Sequence, residues 1–460
     1  MQCTALRRLL VASAAAVFGA AQQDAPAAPL PVLTRQLTVD GVARTFELTV
    51  PPAAASAGTA RLPVILSFHG DGGHAARQAE DDHLREVAGG IALIVHGQGV
   101  GTEQETGDDH PTWNGGGASM QALGPEPQAI APDGETCDQE TTTGGNLMVS
   151  CAKEIGSGAA ANPCWWSNCL DDVAYVVAIL DLLEAEYSVD TARIFGTGDS
   201  NGAMFLYQLI ADPRTGHRFA AVAPVAGLPH NGFLFRPANP ALRYLNIWGT
   251  ADTYIVAECP DATDITLKSG PGCCGWYYSC IENTTRLFAD LHGFDSSPPR
   301  PLAAPLAPPA SEGGPTCRGF SKAGGDDDDV SSALVVDCSW EGPHGWPQIG
   351  EIGWDQPCAR WPAEVILDFF LAEPEEDSAP KERPSLAAND GGCRLHQLGE
   401  ACAAYSSPLQ PSVCGTHCED LAAEALRTGL GCELEGRIRA TLTGLVENCS
   451  GGGRGDGGGH

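Results

Sequence analysis

Ser200 lies in Gly198-Asp199-Ser200-Asn201-Gly202, a Gly-x-Ser-x-Gly pattern with Ile194-Phe195-Gly196-Thr197 before it and Met204-Phe205-Leu206 after it. The pattern carries chemistry where a strand turns sharply into a helix, because the turn lifts the hydroxyl clear of the sheet and the glycines let backbones pass closely. The flanking apolar runs predict that strand over 192–197 and that helix over 203–211. A serine hydroxyl needs a base, and the base an orienting carboxylate; on a sheet of this type they follow in the order Ser, Asp/Glu, His. Asp252, in Trp248-Gly249-Thr250-Ala251-Asp252, comes just after a strand pattern at 243–248, whose C-terminal end would deliver it; Asp261 and Asp264 are reserves. His344, in Gly342-Pro343-His344-Gly345-Trp346-Pro347, comes after a strand pattern at 333–338 and before a closing helix, whereas His292 reads as a helix end. The expected chemistry is acyl transfer. Ser200 attacks a carbonyl, His344 shuttles the proton, Asp252 fixes the imidazole and water releases the acyl group. The oxyanion needs two N–H donors, expected from Asn201 and from the loop His69-Gly70-Asp71, which His69 shapes rather than serving as a proton carrier.

These parts need a scaffold that brings strand ends together. Alternating segments on either side of Asp40-Gly41, at 33–39 and 42–50, predict a hairpin. The run 62–68 reads as a buried strand entering a glycine-rich loop, and 91–95 as a second buried strand. Helical spacing begins at Asp171-Asp172 and continues through Val173, Val176, Val177, Leu180 and Leu183, with two acids placed to favour the helix dipole. Further strands are expected at 220–225, 243–248 and 333–338, and an amphipathic helix at 363–371. Strands alternating with helices imply an α/β fold of the α/β-hydrolase type, a mostly parallel sheet covered on both faces.

The expected organisation is a signal peptide over 1–21, a leader over 22–32, a catalytic domain over 33–372 with an insertion at about 97–168, a linker over 373–392, a cysteine-rich module over 393–449 and a disordered tail over 450–460. Arg7 and Arg8 before an apolar run that ends in Gly19-Ala20-Ala21 support the first of these; the run is too short to span a bilayer. The 18 cysteines point to an oxidising compartment and disulfides, and cleavage after Ala21 removes Cys3 and leaves an odd number. Cys414-x-x-x-Cys418 hints at zinc, but no ordered Cys/His quartet accompanies it. With 26 basic and 58 acidic residues the formal charge is −32, which opposes nucleic acid and anionic membrane as partners. The sequons Asn283-Thr284-Thr285 and Asn448-Cys449-Ser450 fit secretion and glycosylation.

A family resemblance follows from several of these pieces in order. Arg44-Thr45-Phe46 with Pro51, the strand into His69-Gly70, Trp113-Asn114, Asp171-Asp172-Val173, Gly198-x-Ser200-Asn201-Gly202, Gly249-Thr250-x-Asp252 and His344-Gly345-Trp346-Pro347 together resemble the secreted polyhydroxybutyrate depolymerase and feruloyl esterase group of carbohydrate esterases. The resemblance covers about 33–371. It implies that Ser200, Asp252 and His344 are catalytic and that no metal or cofactor is needed. Its substrates would be ferulate esters on xylan, acetyl groups on polysaccharide or hydroxyalkanoate polyesters. Ala203 and Pro343 stand where that group commonly has glycine; neither replaces a reacting group. Trp113, Asn114 and Trp346 are candidate substrate contacts; Trp113, Trp165 and Trp166 could stack on sugar or phenolic rings, and the alternative for all three is a small core beneath a disulfide-bonded loop. Asp326-Asp327-Asp328-Asp329 reads as a solvated acidic loop. The leading expectation is an extracellular ester hydrolase acting on feruloyl-type or acetyl esters of polysaccharide. A polyester depolymerase is the alternative within that class, and a non-catalytic binding or adhesion protein on a hydrolase scaffold is the alternative outside it.

Overall fold

Asp40 and Gly41 hold φ at 50° and 79°, the left-handed pair that closes a two-residue hairpin with the twist its strands require. They join β1 (Val32–Val39) to β2 (Val42–Thr49), paired antiparallel from Val32↔Thr49 to Val39↔Val42. The computed structural model describes residues 30–52, 61–101, 110–119, 136–137, 164, 166–233, 235–258, 275–294, 298–321, 329–349 and 357–372. The chain divides into two units, Met1–Asp377 and Ser378–His460, and every described residue belongs to the first. The expected signal peptide, linker, cysteine-rich module and tail, the second sequon, Trp165, Asp261, Asp264 and most of the 97–168 insertion lie outside the described residues.

β3 (Leu62–Phe68) and β4 (Leu93–Gly97) are buried along their whole length, as continuous apolar runs covered on both faces should be. Between them lie α1 (Ala75–Asp81) and α2 (Leu84–Ala88), too short to show helical periodicity in sequence. β4 starts two residues later than the apolar run suggests, because the Ile91 amide bonds back to the Ala88 carbonyl and its side chain stays 48% exposed. The chain continues through α3 (Asp172–Glu186), β5 (Val189–Asp199), α4 (Asn201–Ala211), β6 (Ala221–Val225), β7 (Arg243–Gly249), α5 (Ile281–Leu291), β8 (Arg300–Leu302), β9 (Thr316–Phe320), β10 (Val335–Trp340) and α6 (Trp361–Leu371). β5 and α4 meet at Ser200, so both outrun their predicted bounds. The sequence pattern predicts neither α5 nor the β8–β9 pair, although His292, expected at a helix end, is the C-cap of α5.

The sheet has ten strands in the order β1-β2-β4-β3-β5-β6-β7-β10-β9-β8. The run from β4 to β10 is parallel, and antiparallel strands close both edges. That order, with a nucleophile elbow after β5, is the α/β-hydrolase fold. Core side chains divide between the two faces with the strand period of two: Val64 and Leu66 pack with α3 and α4, Ile65 with α2 and α6, and on β7 Tyr244 and Leu245 part in the same way.

Asp171 is the N-cap of α3, accepting from the Ala174 amide at 2.9 Å. Asp172 does something else. It is buried, 2.7 Å from the equally buried Arg44 of β2, and accepts from the Asn114 amide at 2.8 Å. Burial raises its carboxyl even though Arg44 opposes that rise. The pair ties the edge hairpin to α3, with the guanidinium also over the Tyr175 ring at 4.1 Å. Arg44→Met keeps the volume and strands the carboxylate, so it should cost about 3–5 kcal/mol of unfolding free energy, read from the urea midpoint of the whole chain. A loss below about 1 kcal/mol would place the pair among weakly contributing surface contacts.

Disulfides join Cys137 to Cys164 and Cys317 to Cys338, the second across the register pair of β9 and β10. Cys169 and Cys280 are also disulfide-bonded. Among the described residues Cys358 is the free cysteine. Asn283 of the first sequon sits in the first turn of α5 with its amide against Cys280 Sγ at 3.8 Å, unlike the exposed loop where such acceptors usually lie. No helix among the described residues is long and apolar enough to cross a membrane.

Candidate active site

Ser200 stands between β5 and α4 with φ 52° and ψ −115°, a conformation that costs a non-glycine residue roughly 1–3 kcal/mol and persists only where its surroundings impose it. The surroundings are visible at Gly202, where a Cβ would come within 2.2 Å of the Phe68 carbonyl oxygen. The turn is so tight against the end of β3 that only glycine fits. Asn201 fixes the elbow from the other side. Its side-chain Oδ1 accepts from the Trp113 amide at 2.7 Å and its Nδ2 donates to the Trp113 carbonyl at 3.1 Å. At the first position of α4, its own backbone N–H has no intrahelical acceptor and carries the positive end of the helix dipole.

β7 and β10 run parallel with Gly249 opposite Trp340, so their C-terminal ends emerge side by side. A Cβ on Gly249 would lie 2.3 Å from the Gly342 oxygen, and the Thr250 and Ala251 amides donate to the Trp340 and Gly342 carbonyls at 2.9 Å each. This close backbone contact explains the glycine in Gly249-Thr250-x-Asp252. It brings Asp252 beneath His344, whose Nδ1 lies 2.7 Å from Asp252 Oδ2 and whose Nε2 lies 2.8 Å from Ser200 Oγ. Asp252 Oδ1 accepts from the Tyr254 and Ile255 amides at 2.8 and 2.9 Å. With both carboxylate oxygens accepting, Nδ1 carries the imidazole proton and Nε2 is free to accept from the serine hydroxyl. Ser200, His344 and Asp252 thus form one hydrogen-bonded line, an arrangement able to make a hydroxyl nucleophilic. Burial pulls the His344 imidazole down, but the Asp252 hydrogen bond and the Asp252 and Asp199 charges outweigh it and hold the imidazole above its ordinary value.

The His69-Gly70-Asp71 loop borders this line, since a Cβ on Gly70 would meet Ser200 Cβ at 3.2 Å and Asp199 Oδ2 at 3.1 Å. His69 is buried, with Nδ1 donating to the Gly70 carbonyl at 2.7 Å and Nε2 accepting from the Gly99 amide at 2.9 Å. Burial pushes its pKa down to about 4, so it stays neutral and shapes the loop. Asp71 pairs with His110 at 2.8 Å across the loop.

Three expected substrate contacts are placed elsewhere. Trp113 is fully buried, stacked 5.2 Å from Phe205 and edge-on to Phe68, with its indole N–H donating to the His69 carbonyl at 2.9 Å. It offers no ring surface to a ligand and instead braces both the elbow and the His69 loop. Asn114 is bound into the same scaffold through Asp172 and the Leu170 carbonyl. Trp346 is buried in the core on the α6 face. Trp166 is half-buried and donates to His230 Nε2 at 2.7 Å beside Trp276, the small-core alternative. Asp199 belongs to the site although the motif leaves its position unspecified. Its Oδ1 is shielded from solvent with no hydrogen-bond partner among the described residues. Burial pushes the carboxyl up to about 6, opposed by His344 and reinforced by Asp81 and Asp252.

No family model matches the chain. Over 230 residues, 49% of the chain, it is 27% identical to the protein of Nocardia uniformis subsp. tsuyamanensis named "Putative esterase NocK", and the match spans 50% of that protein's length. Among solved structures it is similar to an acetyl xylan esterase from Aspergillus awamori, at 13% identity and TM-score 0.36, covering 68% of this chain and 95% of that one. It is also similar to a ferulic acid esterase, at 17% identity and TM-score 0.26, covering 43% and 57%. The fold itself follows from the strand order and the elbow at Ser200.

Proposed function

We propose that the chain is a serine carboxylic-ester hydrolase that works through an acyl-enzyme on acetyl or feruloyl-type esters of polysaccharide, in an oxidising, extracellular setting. The observation that carries this reading is the line from Ser200 Oγ through His344 to Asp252. His344 Nε2 takes the serine proton as Oγ bonds to the ester carbon, and the resulting imidazolium is held by Asp252. The oxyanion is received by the Asn201 N–H and by the backbone of Gly70 or Asp71, donors fixed before the reaction begins. The tetrahedral adduct collapses as His344 returns its proton to the departing alcohol, and water repeats the sequence on the acyl-enzyme. The similarity to a protein named as an esterase supports the reaction class, the motif series running from Arg44 to Pro347 supports the substrate class, and the disulfides support the setting.

The test is a spectrophotometric assay of the full chain on methyl ferulate, short p-nitrophenyl esters, acetylated xylan and emulsified polyhydroxybutyrate, together with fluorophosphonate labelling. Faster turnover of polyhydroxybutyrate than of all the other esters would replace the polysaccharide reading by the polyester one. A protein that hydrolyses none of them and takes no label would be a binding protein on a hydrolase scaffold.

The same site sets a pH dependence. His344 must be neutral to accept the serine proton, and its pKa is raised, so activity is present above that value and is lost as pH falls through it. The acid limb of kcat/KM should therefore lie above about 6.5, the ordinary imidazole value. Asp199→Asn removes one of the negative charges that stabilise the imidazolium, so the limb should move to lower pH. A limb that stays in place, measured on p-nitrophenyl acetate, would show that Asp199 does not act on His344.

A further inference from the structure

Tyr254 is a large apolar side chain left exposed next to the reacting groups. The residue is 43% exposed, and its ring lies 5.2 Å, centroid to centroid, from the His344 imidazole at an interplanar angle of 33°. The position is locked to the triad, because Asp252 holds His344 through Oδ2 while its Oδ1 accepts the Tyr254 and Ile255 amides. Ile255, the next residue, is buried with Met204, Leu228 and Trp248. The turn therefore anchors one side chain inward and presents the other at the rim of the site.

Reaction geometry says which half of an ester lies there. In acylation the Ser200 Oγ bond to the carbonyl carbon forms, the carbon bond to the alcohol oxygen breaks, and the proton taken from Ser200 passes from His344 Nε2 to that oxygen. The alcohol oxygen must come within hydrogen-bond reach of Nε2, about 2.6–3.2 Å, so the alcohol half sits on the imidazole side and the acyl half points away from it. We infer that Tyr254 forms the leaving-group subsite and stacks on the pyranose ring that carries the ester oxygen. A tyrosine suits this, because its ring offers an apolar face to the C–H side of a sugar. The inference rests on the esterase reading above and adds to it the residue that selects the alcohol.

The test compares two esters of one acyl group, the acetyl or feruloyl group the protein turns over faster, with methanol or methyl xylopyranoside as the alcohol. Wild type, Tyr254→Ala and Tyr254→Phe are assayed as full chains. In the alanine variant the ratio of kcat/KM for the pyranosyl ester over the methyl ester should fall about tenfold, which corresponds to about 1.4 kcal/mol of lost transition-state binding; in the phenylalanine variant it should stay within about twofold of wild type. A second readout does not depend on how much protein is active. When methyl xylopyranoside competes with water for the acyl-enzyme, its hydroxyl attacks the acyl carbon, the bond to Ser200 Oγ breaks and the alcohol's proton returns through His344 to Ser200. The yield of sugar ester relative to free acid should fall by the same factor in Tyr254→Ala. Equal losses on both esters with an unmoved product ratio would overturn the inference and leave Tyr254 as packing for His344. Wild-type protein inert on both esters would overturn the esterase reading and this one together.

Discussion

Ser200→Ala should lower kcat on any ester the protein hydrolyses by about 10⁴–10⁶ and abolish fluorophosphonate labelling, with the fold intact. The size follows from what is removed. Oγ is the atom that His344 Nε2 faces at 2.8 Å, and without it no acyl-enzyme can form. What would remain is catalysis by the donors around the oxyanion, acting on a water molecule, which is worth about 10³–10⁴ over the uncatalysed reaction in comparable sites. Stability should move by less than about 1 kcal/mol, because alanine suffers the same strain at φ 52° as serine and only one hydrogen bond is lost. Thermal melting beside the kinetic assay separates the two effects. Activity above about a hundredth of wild type in a correctly melting variant would remove Ser200 as nucleophile.

The grouping of Ser200, Asp252 and His344 was legible in sequence because each lies at the C-terminal end of a parallel strand, and chain order restricts which ends can meet. The strands β3 and β6 were legible for a related reason, since a doubly covered strand reads as a near-continuous apolar run. Other features depend on contacts that no local pattern records. Trp113 sits among glycines in an irregular segment and reads equally as a ring for a ligand or as part of a small core, because Phe68, Tyr175 and Phe205, which enclose it, come from three separate elements. Asp172 reads as a helix-dipole residue because its partner, Arg44, lies across the sheet edge in β2. Asp199 occupies a position that the elbow pattern leaves unspecified, and only the approach of His344, Asp252 and Asp81 gives its charge a consequence. The β8–β9 extension is hidden by prolines and glycines and exists because β10 offers an edge to pair with. Local pattern thus places the candidate residues, while long-range packing determines what holds them together.

The same division explains why Asp252→Asn should be nearly as damaging as loss of the nucleophile, although the two side chains have almost the same shape. Asp252 accepts three hydrogen bonds, from the Tyr254 and Ile255 amides on Oδ1 and from His344 Nδ1 on Oδ2. An asparagine has one accepting oxygen. If that oxygen keeps the two backbone amides, its NH₂ group faces Nδ1 and the imidazole must move its proton to Nε2 to avoid donor against donor. Nε2 then points a proton at Ser200 Oγ and can no longer take one. If the amide turns over to keep His344, its NH₂ faces two backbone N–H groups and the Asp252 turn, with Tyr254 on it, is driven out of place. The first arrangement costs less, because it retains two hydrogen bonds and requires only a change of tautomer. Asp252→Asn should therefore retain the fold and nearly the wild-type KM while kcat falls by about 10⁴. A fall of less than about tenfold would mean that His344 holds its reactive tautomer without Asp252, and the orienting carboxylate would then have to be sought at Asp199, the other charge that raises the His344 pKa.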